Sequence, residues 1–541
     1  MKTTRMRRAA LFAVSAVSVT AAALIVGTGG AVASPASGGA KPIVRIDDGV
    51  VRGTTAGTVD EFLGLPYAAP PTGNLRWRPP APPASWKGVR DATQFGPSCP
   101  QATTRNPFLP PGPISEDCLY LNVYAPTLRD GDEGGRPVLV WIHGGGLTLD
   151  GGRNYDGSKL AADGIVVVTI NYRLGALGFL AHPALASRPD GAAGNYGLMD
   201  QQAALRWVQR NIAQFGGDPY NVTIAGQSAG GLSVLAQLVS RGARGLFQRA
   251  IVQSGAFALT QQPLAAAEAA GEKFAAAVGC TDQTAQCLRN VPVSDLVGNF
   301  GIEIPGVVDG SVLTESIGTA IADGQFARVP ILNGITHDEE MIFVDGLGIA
   351  VSGGTDVLVP ERPVTPANYQ ANIASVLGVS GARAAAIASE YPPGASQSAA
   401  DLAFSTLVSD ANFACPALQL DRVTASRVPT YAYQFNDDHA PVNIAKPGVL
   451  PPVATHGTEL PYLFDQPNAP FPAMLTAAQQ ALAAGMRAAW ANFAASGNPS
   501  SRALPWPSFG DGAQVMSLVE PQPQVETDFA AAHHCAFWAA G

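Results

Sequence analysis

The sequence predicts an α/β fold, with one large and mostly parallel sheet covered by helices on both faces. Three observations carry this. Short apolar runs alternate with segments of helical period. The runs are apolar throughout, as strands buried on both faces are, and lack the polar alternation of a half-exposed sheet. One of them, at 222–225, leads straight into Gly226-Gln227-Ser228-Ala229-Gly230, which places a glycine-flanked serine between a strand and a helix.

In chain order, Val138-Leu139-Val140-Trp141-Ile142 and the run at 165–170 read as buried strands. A helix is expected after Gly197, because Leu198, Leu205, Val208 and Ile212 recur on one face, and Gly216-Gly217-Asp218-Pro219 stops it. The strand at 222–225 follows, then Ser228 and a helix to about Val239. The run at 249–253 is a further strand, and the apolar runs near 330–333 and 430–435 suggest two more. The N-terminal stretch is proline-rich (Pro79, Pro80, Pro82, Pro83), with short extended pieces, and residues 342–400 read as a helical excursion. Neither has the look of a separate domain, and there is no internal repeat.

The chain has 541 residues, 47% of them apolar and 14% charged, which suits a well-buried core. A net charge of −9 without a Lys/Arg-rich block argues against nucleic acid or an anionic membrane as partner. Lys2, Arg5, Arg7 and Arg8 precede a nearly continuous apolar stretch at 9–27, and Ala31-Val32-Ala33 then supplies small residues. This is the pattern of an export signal cleaved after Ala33, leaving 34–541 as one secreted domain. An uncleaved anchor is the alternative, and Arg7-Arg8 leaves the export route open. No later apolar run is long enough to span a membrane. In an oxidising compartment, the six cysteines (Cys99, Cys118, Cys280, Cys287, Cys415, Cys535) suggest disulfides, with 15 possible pairings. Without a C-x-x-C pair or a histidine at ligand spacing, they do not suggest a metal site.

A serine hydroxyl needs a base, a group that orients the base, and donors for the oxyanion. Among seven histidines, the base is expected late in the chain, which leaves His337, His439, His456, His533 and His534. His456 sits in Thr-His-Gly-Thr-Glu-Leu, a small-residue loop that permits close approach. Asp338, Glu339 and Glu340 follow an apolar run, at the sheet edge where ligands bind in open α/β folds; position alone does not choose among them. The oxyanion donors are clearer. Gly144, Gly145 and Gly146 follow the strand ending at Ile142, and successive glycines let backbone N–H groups converge. Gly145, Gly146 and Ala229 are the expected donors.

At these motifs the chain resembles the type-B carboxylesterases and lipases, the cholinesterase-like α/β-hydrolases that include bacterial carboxylesterases. The matching stretches are Phe-Leu-Gly-Leu-Pro-Tyr-Ala (62–68), Ser-Glu-Asp-Cys-Leu-Tyr-Leu-Asn (115–122), Trp-Ile-His-Gly-Gly-Gly (141–146), Asn-Tyr-Arg (171–173), Gly-Asn-Tyr-Gly-Leu-Met-Asp-Gln (194–201) and the segment 215–230. They cover nearly all of the chain after the leader. The resemblance implies Ser228 as nucleophile, His456 as base and Glu339 as the orienting acid, in Gly334-Ile335-Thr336-His337-Asp338-Glu339. Glu340 stands where the family usually has glycine. It further implies the disulfides Cys99–Cys118, Cys280–Cys287 and Cys415–Cys535. Glu116 and Arg173 resemble a buried ion pair of the family, while Asp200 and Asp218 read as loop-ordering residues. Asn221-Val222-Thr223 fits a glycosylation sequon but falls on a buried strand.

The departures bear on substrate. The 18 residues between Cys99 and Cys118 hold Phe108 but no tryptophan, and Gln227 replaces the glutamate that precedes the serine in cholinesterases. Both argue against a choline ester, and the short proline-rich segment argues against a long lipase flap. The expected activity is hydrolysis of small to medium, mostly uncharged carboxylic esters through an acyl-enzyme, with no cofactor or metal. The alternatives are a lipase for longer acyl chains, a hydrolase of a specialised ester, carbamate or amide, and a non-catalytic binding protein. Natural substrate and oligomeric state are not legible.

Overall fold

An eleven-stranded sheet runs through the protein, as seen in a computed structural model that describes residues 41–103, 110–128, 135–186, 193–298, 306–346, 363–443, 453–471, 473–510 and 512–540. The expected leader at 1–33 and Phe108 lie outside the described residues. The strands are β1 (Thr54–Ala56), β2 (Val59–Pro66), β3 (Tyr120–Pro126), β4 (Arg136–Ile142), β5 (Val166–Ile170), β6 (Gly217–Gln227), β7 (Arg249–Gln253), β8 (Ile331–Thr336), β9 (Thr430–Phe435), β10 (Val515–Leu518) and β11 (Gln524–Glu526). Their spatial order is β11-β10-β9-β8-β7-β6-β4-β5-β3-β2-β1. From β10 to β5 every neighbour is parallel. Antiparallel strands close both ends.

The pleat sorts the apolar runs into two layers. Val138, Val140 and Ile142 of β4 join one core, which includes Leu205 and Val208 from the helix Tyr196–Asn211 and Leu232 and Leu235 from the helix Ala229–Val239. Leu139 and Trp141 face the other, built on Leu482, Met486, Trp490 and Phe493 of the helix Ala477–Ser496. Both faces of β4 are thus buried, which is why its sequence does not alternate.

The expected strands at 138–142, 165–170, 249–253 and 430–435 are present, and the one near 330–333 runs to Thr336. The helix after Gly197 ends at Asn211 and tightens into a 3₁₀ turn, Ile212–Phe215, before Gly216 takes a left-handed φ of 81°. The excursion is helical where described, with Tyr369–Val376, Gly381–Glu390 and Gln397–Ser409 packed around Tyr369, Ile373, Ile387 and Phe404. Among the described residues, no single helix is long and apolar enough to cross a membrane. The three disulfides pair Cys99–Cys118, Cys280–Cys287 and Cys415–Cys535.

One expectation is corrected. Glu116 and Arg173 do not pair with each other. Glu116 takes both Nε and Nη2 of Arg76, at 2.7 and 2.6 Å, and Arg173 forks onto Asp200, at 2.7 Å for each bond. Each guanidinium has a carboxylate on a different segment, a choice made by tertiary placement. Asp200 also accepts from the Arg173 backbone N–H at 3.1 Å. Burial pushes its carboxyl up, and Arg173 opposes this with the smaller effect.

Candidate active site

Three strand ends lie at the carboxyl edge of the sheet, and each contributes one part of the site. β6 ends at Gln227, and Ser228 follows with φ 59° and ψ −128°, outside both strand and helix geometry. A non-glycine residue there costs on the order of 1–3 kcal/mol and persists only where its surroundings fix it. Here the Ser228 N–H donates to the Gln253 carbonyl at 2.8 Å, and the Ser228 carbonyl accepts from Leu232 N–H at 2.9 Å. The flanking glycines are required by space. A Cβ on Gly230 would sit 2.0 Å from the Ile142 carbonyl oxygen, and one on Gly226 would sit 2.5 Å from the Gly230 backbone.

β4 ends at Ile142 and delivers the glycine run. A Cβ on Gly144 would lie 3.1 Å from Ser228 Cβ, so this loop passes directly over the serine. Gly145, Gly146 and Leu147 then take φ of 84°, 61° and 56°. At Gly145 a side chain would also meet the Leu149 carbonyl at 2.5 Å. As the first residue of its helix, Ala229 has a backbone N–H without an intrahelical acceptor.

The loop is held from behind. The Gln101 side chain donates to the Asp150 carbonyl and accepts from its N–H, both at 2.8 Å. The Asp150 carboxylate takes Tyr155 Oη, Asn154 Nδ2 and Gly151 N–H, each at 2.7 Å. His143 stacks on Tyr172 with centroids 4.4 Å apart, and burial pushes its imidazole pKa down against the opposing effect of Asp150.

β8 ends at Thr336, and Glu339, itself fully buried, follows in a turn. Its Oε1 accepts from Thr336 N–H at 2.9 Å, and its Oε2 contacts Nδ1 of His456. The two loops are also joined through backbone. Asp338 N–H donates to Ala454 O at 2.9 Å, and His456 N–H to Glu339 O at 3.3 Å. The His456 ring is flanked by Phe343 and Phe413, with centroids 5.0 and 5.5 Å away. Phe413 lies on a π turn, Asp410–Ala414. Nε2 of His456 lies 3.1 Å from the Gln227 amide nitrogen, on the residue adjoining Ser228.

Of the sequence-expected residues, Glu339 and His456 are in contact, the glycine run lies against Ser228, Ala229 follows it in the chain, and the His456 ring reaches Gln227, the residue before the serine. Asp338 instead bonds His337, at 3.1 Å. Glu340 is buried beside it, its backbone N–H on Ser409 Oγ at 3.0 Å. A second buried histidine–carboxylate pair exists, His533 Nδ1 on Asp410 at 2.5 Å, but its Nε2 faces the Gln434 side chain.

Sequence reasoning missed Glu459, although it closes the His-Gly-Thr-Glu-Leu stretch. Glu459 is fully buried, and its Oε1 accepts from Gln253 Nε2 at 3.1 Å. Burial, and next the nearby Glu339 charge, push its carboxyl up to about 7. The clamp of Gln101 on Asp150 was also missed; no local signal marks it.

A family model described as "Carboxylesterase family" matches residues 40–538. Fumonisin B1 esterase of Sphingopyxis macrogoltabida is 36% identical over 88% of this chain and 86% of its own. Cocaine esterase of Homo sapiens is 36% identical over 90% of this chain and 88% of its own. Para-nitrobenzyl esterase of Bacillus subtilis (strain 168) is 35% identical, with 90% and 96% covered. A solved structure of a PNB esterase superposes with a TM-score of 0.75 at 34% identity, over 91% of this chain and 98% of that one.

Proposed function

Since this chain belongs to the carboxylesterase family and is a serine-type carboxylic ester hydrolase, we propose that its chemistry runs through an acyl-enzyme on Ser228, with His456 as base and Glu339 as its orienter. The observation that carries this is the pair of contacts on one imidazole. His456 has Nδ1 on the buried Glu339 carboxylate and Nε2 against the residue adjoining Ser228. The carboxylate fixes the tautomer, leaving the Nε2 lone pair to receive a proton.

In acylation, Ser228 Oγ bonds to the ester carbonyl carbon and its proton passes to His456 Nε2. The carbonyl oxygen becomes an oxyanion held by the N–H groups of Gly145, Gly146 and Ala229, any one of which contributes roughly 3 kcal/mol. The carbon–oxygen bond to the alcohol breaks, and His456 protonates the leaving alkoxide. Water then attacks the acyl carbon, giving its proton to the same nitrogen, and the acid leaves as Ser228 recovers its proton.

The substrate class we favour is small to medium, mostly uncharged esters. Gln227, buried beside His456, puts a neutral amide where a carboxylate would favour a cationic ester. The named relatives act on unlike esters, which supports the reaction and leaves the substrate to measurement. Export of residues 34–541 is supported by three disulfides, since such bonds persist in oxidising compartments. N-terminal sequencing of protein recovered outside the producing cell tests it, with Ser34 expected first.

The test of function is a p-nitrophenyl ester series from acetate to palmitate. kcat/KM highest at short to medium chains, and lost in Ser228→Ala, is expected. A preference for long chains with interfacial activation would replace this reading with a lipase.

A further inference from the structure

Gln227 is buried, and its amide nitrogen lies 3.1 Å from His456 Nε2. The tautomer decides what this contact is. With Nδ1–H directed at Glu339, Nε2 of the neutral ring carries a lone pair and can only accept. The Gln227 NH₂ is therefore the donor. Ser228 needs the same lone pair to surrender its proton, so two neighbouring side chains compete for one acceptor.

We propose that Gln227 is a positioning residue that fills the Nε2 lone pair of His456 in the resting enzyme, holds the ring neutral and in plane, and yields that lone pair to Ser228 as the ester is attacked. This rests on the assignment of Ser228 and His456 above. A donor to the neutral ring favours the neutral ring. An imidazolium would direct Nε2–H at the amide NH₂, a repulsive contact relieved only if the amide turns its carbonyl inward. A carboxylate here would do the opposite and favour the imidazolium. The other groups facing His456 are Glu339 on Nδ1, the rings of Phe343 and Phe413, and the nearby Glu459 carboxyl. Gln227 is thus the neutral polar side chain among them that distinguishes the two charge states of Nε2.

The test pairs Gln227→Met, which keeps the volume and removes the donor, with Gln227→Glu. Two readouts are taken: the pH profile of kcat/KM on p-nitrophenyl acetate, and the ¹⁵N titration of the His456 ring in a Ser228→Ala background. Loss of the donor is expected to raise the midpoint of both by roughly 0.5–1 pH unit. The carboxylate should raise it by about 1–2 units, a loss of about tenfold or more in kcat/KM on the acid side. A residue that only filled space would lower the whole profile without moving its midpoint. Midpoints of Gln227→Met that coincide with wild type in the ring titration overturn the proposal; this variant decides alone if Gln227→Glu does not fold. Hydrolysis persisting in Ser228→Ala would instead sink the proposed function, while the ring titration would still report on the contact.

Discussion

Glu339 and His456 are 117 residues apart in the chain, yet the carboxylate of one meets Nδ1 of the other. They meet because two loops are zipped by backbone bonds from Asp338 to Ala454 and from His456 to Glu339. The carboxylate is fully buried, and its other oxygen is held by Thr336 N–H. Glu339→Gln should keep this geometry but cannot fix the Nδ1–H tautomer. A fall in kcat of roughly 10⁴-fold with little change in KM is expected. Steady-state kinetics beside an unchanged melting temperature checks this; a fall below tenfold would remove Glu339 from the proposed triad.

Glu459 makes stability depend on pH. Its carboxyl lies at about 7 in the folded chain against an ordinary value of 4.5, chiefly through burial. The folded state therefore binds more protons than the unfolded between these values. Stability is lost as pH rises from about 4.5 to about 7 and the loss is constant above. Glu459→Gln can still accept from Gln253, and should raise the melting temperature at pH 8 with much less effect at pH 4. The gap corresponds to a stabilisation on the order of 3 kcal/mol at pH 8. Equal effects at both pH values would contradict the linkage.

Gly230→Ala tests the packing of the elbow. Its Cβ would fall 2.0 Å from the Ile142 carbonyl, a backbone atom in the central strand β4. The strand or the elbow must move, so activity loss by more than about 10²-fold is expected, with destabilisation of at least 1–3 kcal/mol. Wild-type kcat in a soluble Gly230→Ala protein would show that the close approach is not needed.

The Cys415–Cys535 bridge closes a sequence separation of 120 residues and ties the C-terminal helix Cys535–Ala539 to the helix Cys415–Ala425. Replacing both cysteines by serine should cost at most about 4–5 kcal/mol, on the chain-entropy view of cross-links. Denaturant unfolding of the two proteins measures the difference, and no loss would count against a stabilising role.

The nucleophile elbow and the glycine run were legible because each is a local device. A strand, a strained residue and glycines at fixed spacing are all written in a few consecutive positions. The acid was not legible that way. Asp338, Glu339 and Glu340 look alike in sequence, and what separates them is which carboxylate the His456 loop reaches. The ion pairs show the same limit: Glu116 and Arg173 were recognisable as buried charges, but their partners Arg76 and Asp200 follow from packing. Among elements, the parallel strands β4 to β9 stood out as apolar runs. β1, β2, β3, β10 and β11 did not, being short, mixed in polarity or at the sheet's antiparallel ends. The helix Ala477–Ser496 went unread although Thr476 and Gln479 form a capping box at its start.

In the proposed mechanism the acyl group passes through Ser228. Mixing the wild-type protein with p-nitrophenyl acetate under rapid quench, then measuring intact mass and mapping peptides, tests it most directly. A burst of p-nitrophenol close to one equivalent and an acetyl group on Ser228 alone are expected, and neither in Ser228→Ala. Acetylation elsewhere, or undiminished turnover by Ser228→Ala, would contradict it.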